Sequence, residues 1–171
     1  MEKNNIHIIY MGAGILPLAW HKGKIHFLIG KENKHADTPG WADFGGGHAP
    51  GETSLQTAIR ECSEELTGFL GSKEEIGRLM RKQDGGIIDT DDKRYRTYLL
   101  QIDYDEALPR YYNANQRFLQ KHLNAATYKK ECIFEKSEIR WVTVDELKKL
   151  RPKFRPYYRE IVDKVVKRVY N

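Results

Sequence analysis

The stretch GGHAPGETSLQTAIRECSEELTG, residues 46–68, leads from a run of glycines into an amphipathic segment. Thr53, with Gln56 three residues later, forms a capping box, which predicts that a helix begins at this point. The apolar residues then recur at helical spacing: Leu55, Ala58, Ile59, Cys62 and Leu66. The spacing therefore predicts a helix over Thr53–Leu66 with one face in the core.

The polar side of this helix is acidic. Glu61, Glu64 and Glu65 stand at positions i, i+3 and i+4, so three carboxylates project from one stripe of the helix. Arg60 can relieve part of their repulsion, but a surplus of negative charge remains. Clustered hard oxygen ligands on a rigid helix suit Mg²⁺ or Mn²⁺. Taken alone, the same residues also fit a solvated acidic helix face.

The spacing of charged residues continues upstream of the helix. Gly46 is followed after five residues by Glu52, and after seven more by Arg60-Glu61. This arrangement resembles the Nudix box, G-x5-E-x7-R-E-U-x-E-E-x-G-U, in which U is a bulky aliphatic residue. The chain matches every charged position of the pattern: Glu52, Arg60, Glu61, Glu64 and Glu65. The chain is thus similar to the Nudix hydrolase superfamily.

Two positions depart from that pattern. Cys62 stands at a U position, and the glycine expected two residues after Glu65 comes one residue late, at Gly68. Both departures affect the buried side or the end of the helix, and neither removes a carboxylate. They leave the loop geometry after the helix open.

The resemblance implies an α/β fold: a Nudix-type α/β/α sandwich with a mixed central sheet, formed by residues 1–171 as a single domain with a basic C-terminal helix. It also implies hydrolysis of a diphosphate linked to another moiety, with Mg²⁺ or Mn²⁺ as cofactor. The metal ligands that it implies are the Gly45 carbonyl and the side chains of Glu61, Glu64 and Glu65. Gly46 and a salt bridge between Glu52 and Arg60 would support the loop and the helix.

The resemblance leaves the general base open, because family members use either a box glutamate or a carboxylate from a later loop. Within the box, Glu65 is the candidate base, beside Glu64 in the catalytic set. Outside it, Glu135 lies six residues before Trp141, in the loop that the resemblance would bring over the metal, and Glu138 is its competitor.

Short apolar runs and capping signals predict the remaining elements. The expected strands are Ile6–Tyr10, Ala13–Leu18, Ile25–Lys31, Trp41–Phe44, Arg94–Ile102 and Ile139–Val142. The expected further helices are Ser72–Met80, Tyr111–Leu123, Thr143–Leu150 and Pro156–Tyr170. Strands interrupted by helices favour a mixed sheet covered on both sides.

The charge of the chain is unevenly distributed. The net charge of +5 divides into +6 over residues 129–171 and −1 over residues 1–128. A basic surplus favours a phosphate-rich partner, such as RNA, a nucleotide or an inositol phosphate, although a solvated helix face would give the same composition. His48, Lys129 and Lys130 are candidate substrate-binding residues.

Composition excludes other classes of protein. No stretch is apolar enough to span a membrane, so we expect no membrane partner and a cytoplasmic location, in the host if the source is viral. Cys62 and Cys132 show no paired spacing that would favour a disulfide framework or a zinc site. The sequence gives no indication of an obligate protein partner.

Within the Nudix superfamily, Asp43-Phe-Gly-Gly-Gly and Gly68-Phe-Leu-Gly71 resemble the mRNA-decapping enzymes of large DNA viruses. That resemblance implies capped RNA as substrate, with methylated GDP and 5′-monophosphate RNA as products. A diphosphoinositol or dinucleotide pyrophosphatase is the alternative, and a non-catalytic nucleotide- or RNA-binding module is a third. Several aromatic residues are available to stack on a cap base, although most are expected in the core: Tyr95, Tyr98, Tyr111, Tyr112 and Phe118.

Overall fold

The computed structural model describes residues 10–33, 36–124, 127 and 135–170. Four strands precede the first helix, and further helices and strands follow in groups. The strands are β1 (Gly12–His21), β2 (Lys24–Glu32), β3 (Trp41–Ala42), β4 (Phe44–Gly47), β5 (Ile87–Asp89), β6 (Tyr95–Gln101) and β7 (Lys136–Thr143). The helices are α1 (Ser54–Glu65), α2 (Lys73–Lys82), α3 (Ala107–His122), α4 (Val144–Leu150) and α5 (Tyr158–Tyr170), with a 3₁₀ turn at Arg151–Lys153.

The strands form one mixed sheet in the order β3-β2-β1-β6-β5. In addition, β4 pairs with β1 and β7 pairs with β2. The β1–β6 pair is parallel, and the other pairs are antiparallel. A two-residue turn joins β1 to β2, with φ of 48° at Lys22 and 72° at Gly23, as a tight hairpin requires. The predicted mixed sheet is confirmed.

Helices cover both faces of this sheet. On one face, α1, α2 and α3 contribute Ala58, Cys62, Ile76 and Tyr112 to a buried cluster. On the other face, α4 and α5 contribute Leu147, Tyr158, Ile161, Val162 and Val165 to a second cluster. Neighbouring residues of β1, such as Ile15 and Leu16, point into opposite clusters because side chains alternate along a strand. The α/β/α arrangement predicted from the motif is therefore confirmed.

Three capping boxes begin helices where the sequence predicts them. Thr53, Ser72 and Thr143 each accept a hydrogen bond from the backbone N–H three residues later, and the side chain of that residue accepts one from the capping residue's N–H. Tertiary packing extends α3, which begins at Ala107 rather than Tyr111. The predicted strand Ile6–Tyr10 lies outside the described residues except at Tyr10.

The segment Trp41–Phe44 was predicted to be one strand, and that prediction was wrong. It divides into β3, which pairs with β2, and β4, which pairs with β1. The division falls at Asp43, whose buried carboxylate accepts hydrogen bonds from the Tyr95 hydroxyl and the Thr97 hydroxyl, both at 2.8 Å. Burial raises the pKa of Asp43 to about 6. This polar anchor fixes the start of the glycine strand β4, which leads to the candidate site.

Among the described residues, no helix combines the length and the apolar character that crossing a bilayer requires.

Candidate active site

The loop between β4 and α1 is held by an ion pair. Nε of Arg60 donates to Oε1 of Glu52 at 2.7 Å, and Nη2 of Arg60 donates to Oε2 of Glu52 and to the Gly47 carbonyl at 3.0 Å. Hydrogen bonds from Arg60 lower the pKa of Glu52 to about 2, so this carboxylate stays charged. The structure thus brings together the predicted supporting pair, and Arg60 fastens α1 to the glycine strand.

His48 belongs to the same loop. The Thr57 hydroxyl donates to Glu52 at 2.7 Å and lies 2.8 Å from Nδ1 of His48. Since the hydroxyl has a single proton, Nδ1 must carry the hydrogen of the second bond. Nε2 of His48 is buried and has no hydrogen-bond partner among the described residues. Nδ1 is therefore the donor to Thr57, and the ring is held in place while Nε2 makes no bond to the described residues.

Two box carboxylates lie directly against the glycine strand. A Cβ added to Gly46 would lie 2.6 Å from the carboxyl carbon of Glu61, so only glycine lets this carboxylate approach the backbone so closely. Oε2 of Glu65 accepts a hydrogen bond from the Gly45 N–H at 2.8 Å. The three predicted site residues Gly45, Glu61 and Glu65 are thus neighbours.

Glu64 lies on the exposed side of the same stripe. Its carboxylate is 3.2 Å from Nη1 of Arg60 and 2.9 Å from Nζ of Lys73, and its side chain is 46% exposed. Arg60 also contacts Glu61 at 2.7 Å. These contacts show how cations of the chain offset the repulsion between neighbouring carboxylates.

A buried lysine completes the surroundings of Glu65. The Lys136 side chain is fully buried, and its Nζ lies 3.1 Å from Oε1 of Glu65 and contacts Oε1 of Glu32. Arg155 reaches the same Glu32 oxygen at 3.2 Å. Burial lowers the pKa of Lys136, but the two carboxylates outweigh burial and raise it above its usual range, so the lysine stays charged.

Sequence reasoning did not find Lys136 or Glu32 as site residues. They stand 104 positions apart, on β7 and β2, and meet only because these strands pair. No local spacing in the sequence links them. The one available signal was the position of Lys136, directly after the candidate base Glu135.

Glu135 lies near the box carboxylates. Burial raises the pKa of Glu135, and the charge of Glu61 raises it further, followed by smaller effects that include Glu64. The Asn33 N–H donates to the Glu135 carbonyl at 2.9 Å and ties this segment to the end of β2. The competitor Glu138 lies within β7, opposite Lys31. Glu135 is therefore close enough for the charges of Glu61 and Glu64 to act on it, and its role as the base stays a prediction.

The donor set fits a hard divalent cation. Among the described residues, no three acidic, histidine or cysteine side chains already converge as ligands, since the box carboxylates are paired with Arg60, Lys73 and Lys136. Every donor is nevertheless an oxygen, and the close approach at Gly46 brings carboxylates to the backbone. The residues that would hold the ion are Glu61, Glu64, Glu65 and the Gly45 carbonyl. Such an ion polarises bridging phosphates and lowers the pKa of a bound water.

The end of α1 shows how the chain accommodates its late glycine. The Gly68 N–H donates to the Ser63 carbonyl at 3.1 Å and the Thr67 N–H donates to the Glu64 carbonyl at 3.0 Å, which is the Schellman pattern after the cap residue Leu66. Thr67 takes the left-handed conformation, with φ of 49°, at the position where the Nudix box has glycine. A β-branched residue is strained there, and the left-handed conformation costs roughly 1–2 kcal/mol.

Thr67→Gly is expected to increase the free energy of unfolding by about 0.5–1 kcal/mol, because relief of the strain exceeds the added chain entropy of glycine. Urea denaturation measures this change. The matched control is Gly68→Ala, where φ is 76° and no atom lies within 4 Å of an added Cβ. In this control, backbone strain alone should lower the free energy of unfolding by about 1 kcal/mol. A destabilised Thr67→Gly variant would contradict the strain assignment.

A cavity of about 370 Å³ borders the glycine strand β4. Gly46 and Gly47 form part of its wall, so it shares Gly46 with the place where Glu61 approaches the backbone. The aromatic rings in the wall are Tyr95 and Tyr157, whose centroids are 5.0 Å apart. The charged residues in the wall are Arg94, Arg155, Asp92 and Glu160. The cavity thus offers aromatic surface and cations beside the glycine strand.

The C-terminal basic surplus is partly engaged within the protein. Lys148 lies 4.1 Å from the centre of the Tyr170 ring, and Arg151 forms an ion pair with Asp163 at 2.6 Å. Lys129 and Lys130, the predicted substrate-binding lysines, lie outside the described residues.

Comparison with known proteins agrees with the geometry. A model of the NUDIX domain matches residues 11–165. A search of curated proteins finds no significant match. Among solved structures, an Ap4A hydrolase of C. elegans, in a binary complex, has a TM-score of 0.55 at 17% identity, covering 95% of this chain and 96% of that chain. The Nudix hydrolase RenU of M. smegmatis has a TM-score of 0.52 at 16% identity, covering 94% and 86%.

A third neighbour is larger than this chain. The bifunctional NMN adenylyltransferase/ADP ribose pyrophosphatase of Francisella tularensis has a TM-score of 0.56 at 17% identity, covering 92% of this chain and 40% of that chain. At these identities the neighbours support the fold alone. The family match, by contrast, covers most of the chain and includes the complete set of box carboxylates. Nudix hydrolases cleave diphosphates linked to another moiety and generally require a divalent metal ion such as Mg²⁺ or Mn²⁺. The chain belongs to the NUDIX domain family and is a Nudix hydrolase.

Proposed function

We propose that this Nudix hydrolase cleaves the triphosphate bridge of the mRNA cap, releasing methylated GDP and RNA with a 5′-monophosphate. The observation that carries the proposal is the cavity of about 370 Å³ that shares Gly46 with the carboxylate site. A volume in this range accommodates a small-molecule group such as one nucleoside. A nucleoside held there would lie against the glycine strand that Glu61 also approaches.

The chemistry of the cavity wall favours a base over a polyphosphate. Tyr157 is partly exposed and Tyr95 is buried, so Tyr157 is the ring of the wall on which a base can stack. Arg94 and Arg155 are balanced by Asp92 and Glu160, so the wall carries no net positive charge. An inositol carrying many phosphates would require a clear excess of cations. The cavity therefore supports a nucleotide substrate rather than a diphosphoinositol phosphate.

Glu65 and Glu135 have different roles in the proposed reaction. Both oxygens of Glu65 are engaged, one by the Gly45 N–H and one by Lys136, which suits a ligand held in fixed orientation. Glu135 is then the better general base, and its carboxylate would accept the proton of the attacking water. The water oxygen forms a new bond to phosphorus as the bridging P–O bond breaks. The released bridging oxygen keeps the electron pair of that bond.

A product assay tests this function. Cap-labelled RNA, the free cap dinucleotide and a diphosphoinositol phosphate are each incubated with the protein in Mg²⁺, in Mn²⁺ and in excess EDTA. We expect methylated GDP from the capped RNA with either metal ion and no product in EDTA. Cleavage of the dinucleotide but not of capped RNA would identify a dinucleotide pyrophosphatase instead. Cleavage of the inositol compound alone would contradict the assignment of the cavity to a base.

A further inference from the structure

The exposed face of α3 carries two parallel rows of side chains. The first row is cationic and consists of Arg110, Arg117 and Lys121. The second row is aromatic and consists of Tyr111, Phe118 and His122. In each row the spacing is seven residues and then four, which keeps the three side chains on one side of a helix. The two rows are offset by one residue, so they run side by side along the helix.

The aromatic row is open to solvent. Tyr111 is 60% exposed and Phe118 is 61% exposed, whereas large apolar side chains are usually buried. The guanidinium of Arg110 lies 4.9 Å from the centre of the Tyr111 ring, and the rings of Phe118 and His122 are 4.4 Å apart. Helix α3 contains no acidic residue between Ala107 and His122. The face thus combines exposed rings with positive charge, and no acidic side chain of α3 offsets that charge.

The opposite face of α3 fixes this surface next to the active site. The Tyr112 hydroxyl donates to the Glu65 carbonyl at 2.6 Å, at the end of the Nudix helix. The Asn113 side chain accepts from the Ile139 N–H at 2.8 Å and donates to the Ile139 carbonyl at 3.0 Å. The two rows are therefore presented by a helix that contacts both α1 and β7.

We propose that this face of α3 binds the single-stranded body of an RNA substrate. Bases stack on Tyr111 and Phe118 while the phosphates follow the row Arg110, Arg117 and Lys121. The proposal rests on the proposed decapping function, since it supplies a binding surface for the RNA beyond the cap. Charge complementarity selects the partner: a row of cations with no acidic residue suits a polyanion, and adjacent rings suit unpaired bases. A protein partner would use the rings but has no need of the cationic row.

The test measures binding of uncapped, 5′-monophosphorylated single-stranded RNA by fluorescence anisotropy in EDTA, where no hydrolysis occurs. Tyr111→Ala with Phe118→Ala should raise the Kd by about 10-fold or more, since each stacked base contributes roughly 1–3 kcal/mol. Arg110→Glu with Arg117→Glu should also weaken binding and reduce the salt slope by about 0.7 for each phosphate that is no longer neutralised. All four side chains lie on the solvent side of α3, so unchanged Tm values are expected and are measured first.

The matched control is Lys148→Glu with Tyr170→Ala, which removes a second exposed cation–aromatic pair, in the C-terminal region. We expect its RNA affinity to be unchanged. Loss of RNA binding in this control but not in the α3 variants would overturn the proposal and move the surface to the C-terminal region. Phosphatidylserine vesicles are tested as a second ligand beside the RNA. Tighter binding of vesicles than of RNA would identify a membrane surface and overturn the proposal.

Failure of the surface and failure of the proposed function are distinguishable. Hydrolysis of the free cap dinucleotide should be unaffected by the α3 variants, because its phosphates are held at the box carboxylates. If the protein removes caps but the α3 variants bind RNA as tightly as the parent protein, the proposed RNA-binding surface is overturned and the decapping function stands. RNA binding that depends on α3, in a protein that cleaves no cap, would support the surface and overturn decapping.

Discussion

Replacement of Glu64 by glutamine is expected to lower kcat by at least about 10²-fold while leaving the protein folded. A neutral amide is a poor ligand for a hard divalent cation and cannot neutralise its charge. The fold should survive because the Glu64 side chain is 46% exposed, and its ion pairs within the described part of the chain are with Arg60 and Lys73. Exposed ion pairs of this kind contribute about 0–1 kcal/mol to stability. Steady-state kinetics with Mg²⁺ and a urea unfolding curve measure the two effects separately.

The control for this variant is Glu106→Gln, which removes the charge of an exposed glutamate at the start of α3, away from the box. Its kcat should equal that of the parent protein. Direct Mn²⁺ binding gives a readout besides activity, and Glu64→Gln should bind the ion more weakly than Glu106→Gln does. Parental kcat and parental Mn²⁺ affinity in Glu64→Gln would show that the acidic stripe is only a solvated helix face.

Lys136→Met is expected to lower the free energy of unfolding by about 3–5 kcal/mol, the usual cost of removing one partner from a buried ion pair. Lys136 is fully buried and lies between Glu32 and Glu65, so its removal leaves carboxylates without their shared cation. Glu32 retains Arg155 at 3.2 Å, whereas the Glu65 carboxylate retains the Gly45 N–H as its one partner among the described residues. The loss should therefore appear in both stability and kcat, since Glu65 is no longer held in place.

Two further variants test this explanation. In Lys136→Met combined with Glu32→Gln, one of the two carboxylates that lose Lys136 is also neutralised, so part of the lost stability should return. Arg151→Met removes a cation from an exposed pair with Asp163, in which the side chains are 45% and 50% exposed, and should cost at most about 1 kcal/mol. If Lys136→Met cost no more than Arg151→Met, the buried lysine would not stabilise the site.

The sequence predicts those parts of the site that depend on local spacing. Helix α1, its capping box and the ion pair between Glu52 and Arg60 all lie within one segment, where residue spacing determines the geometry. Lys136 and Glu32 could not be predicted this way, because strand pairing alone brings them together. Strand β5 was missed because three residues, Ile87–Asp89, are too few to show an alternating pattern.

The sequence alone does not distinguish the buried face of α3 from its exposed face. Tyr111, Tyr112 and Phe118 were named, with Tyr95 and Tyr98, as rings available to stack on a cap base, but their exposure differs. Tyr112 is fully buried against the end of α1, while Tyr111 and Phe118 are exposed. The difference depends on which side of α3 packs on β7, and that orientation follows from tertiary contacts such as the bonds between Asn113 and Ile139.

If the enzyme decaps RNA as proposed, the hydrogen bond from Tyr112 to the Glu65 carbonyl affects which transcripts it can use. It joins α3, the proposed RNA-binding helix, directly to the helix that carries the box carboxylates. A set number of nucleotides would then span the gap between the two. Substrate affinity would then depend on RNA length. Transcripts shorter than this span would be bound through the cap alone, and longer ones would bind more tightly without sequence specificity.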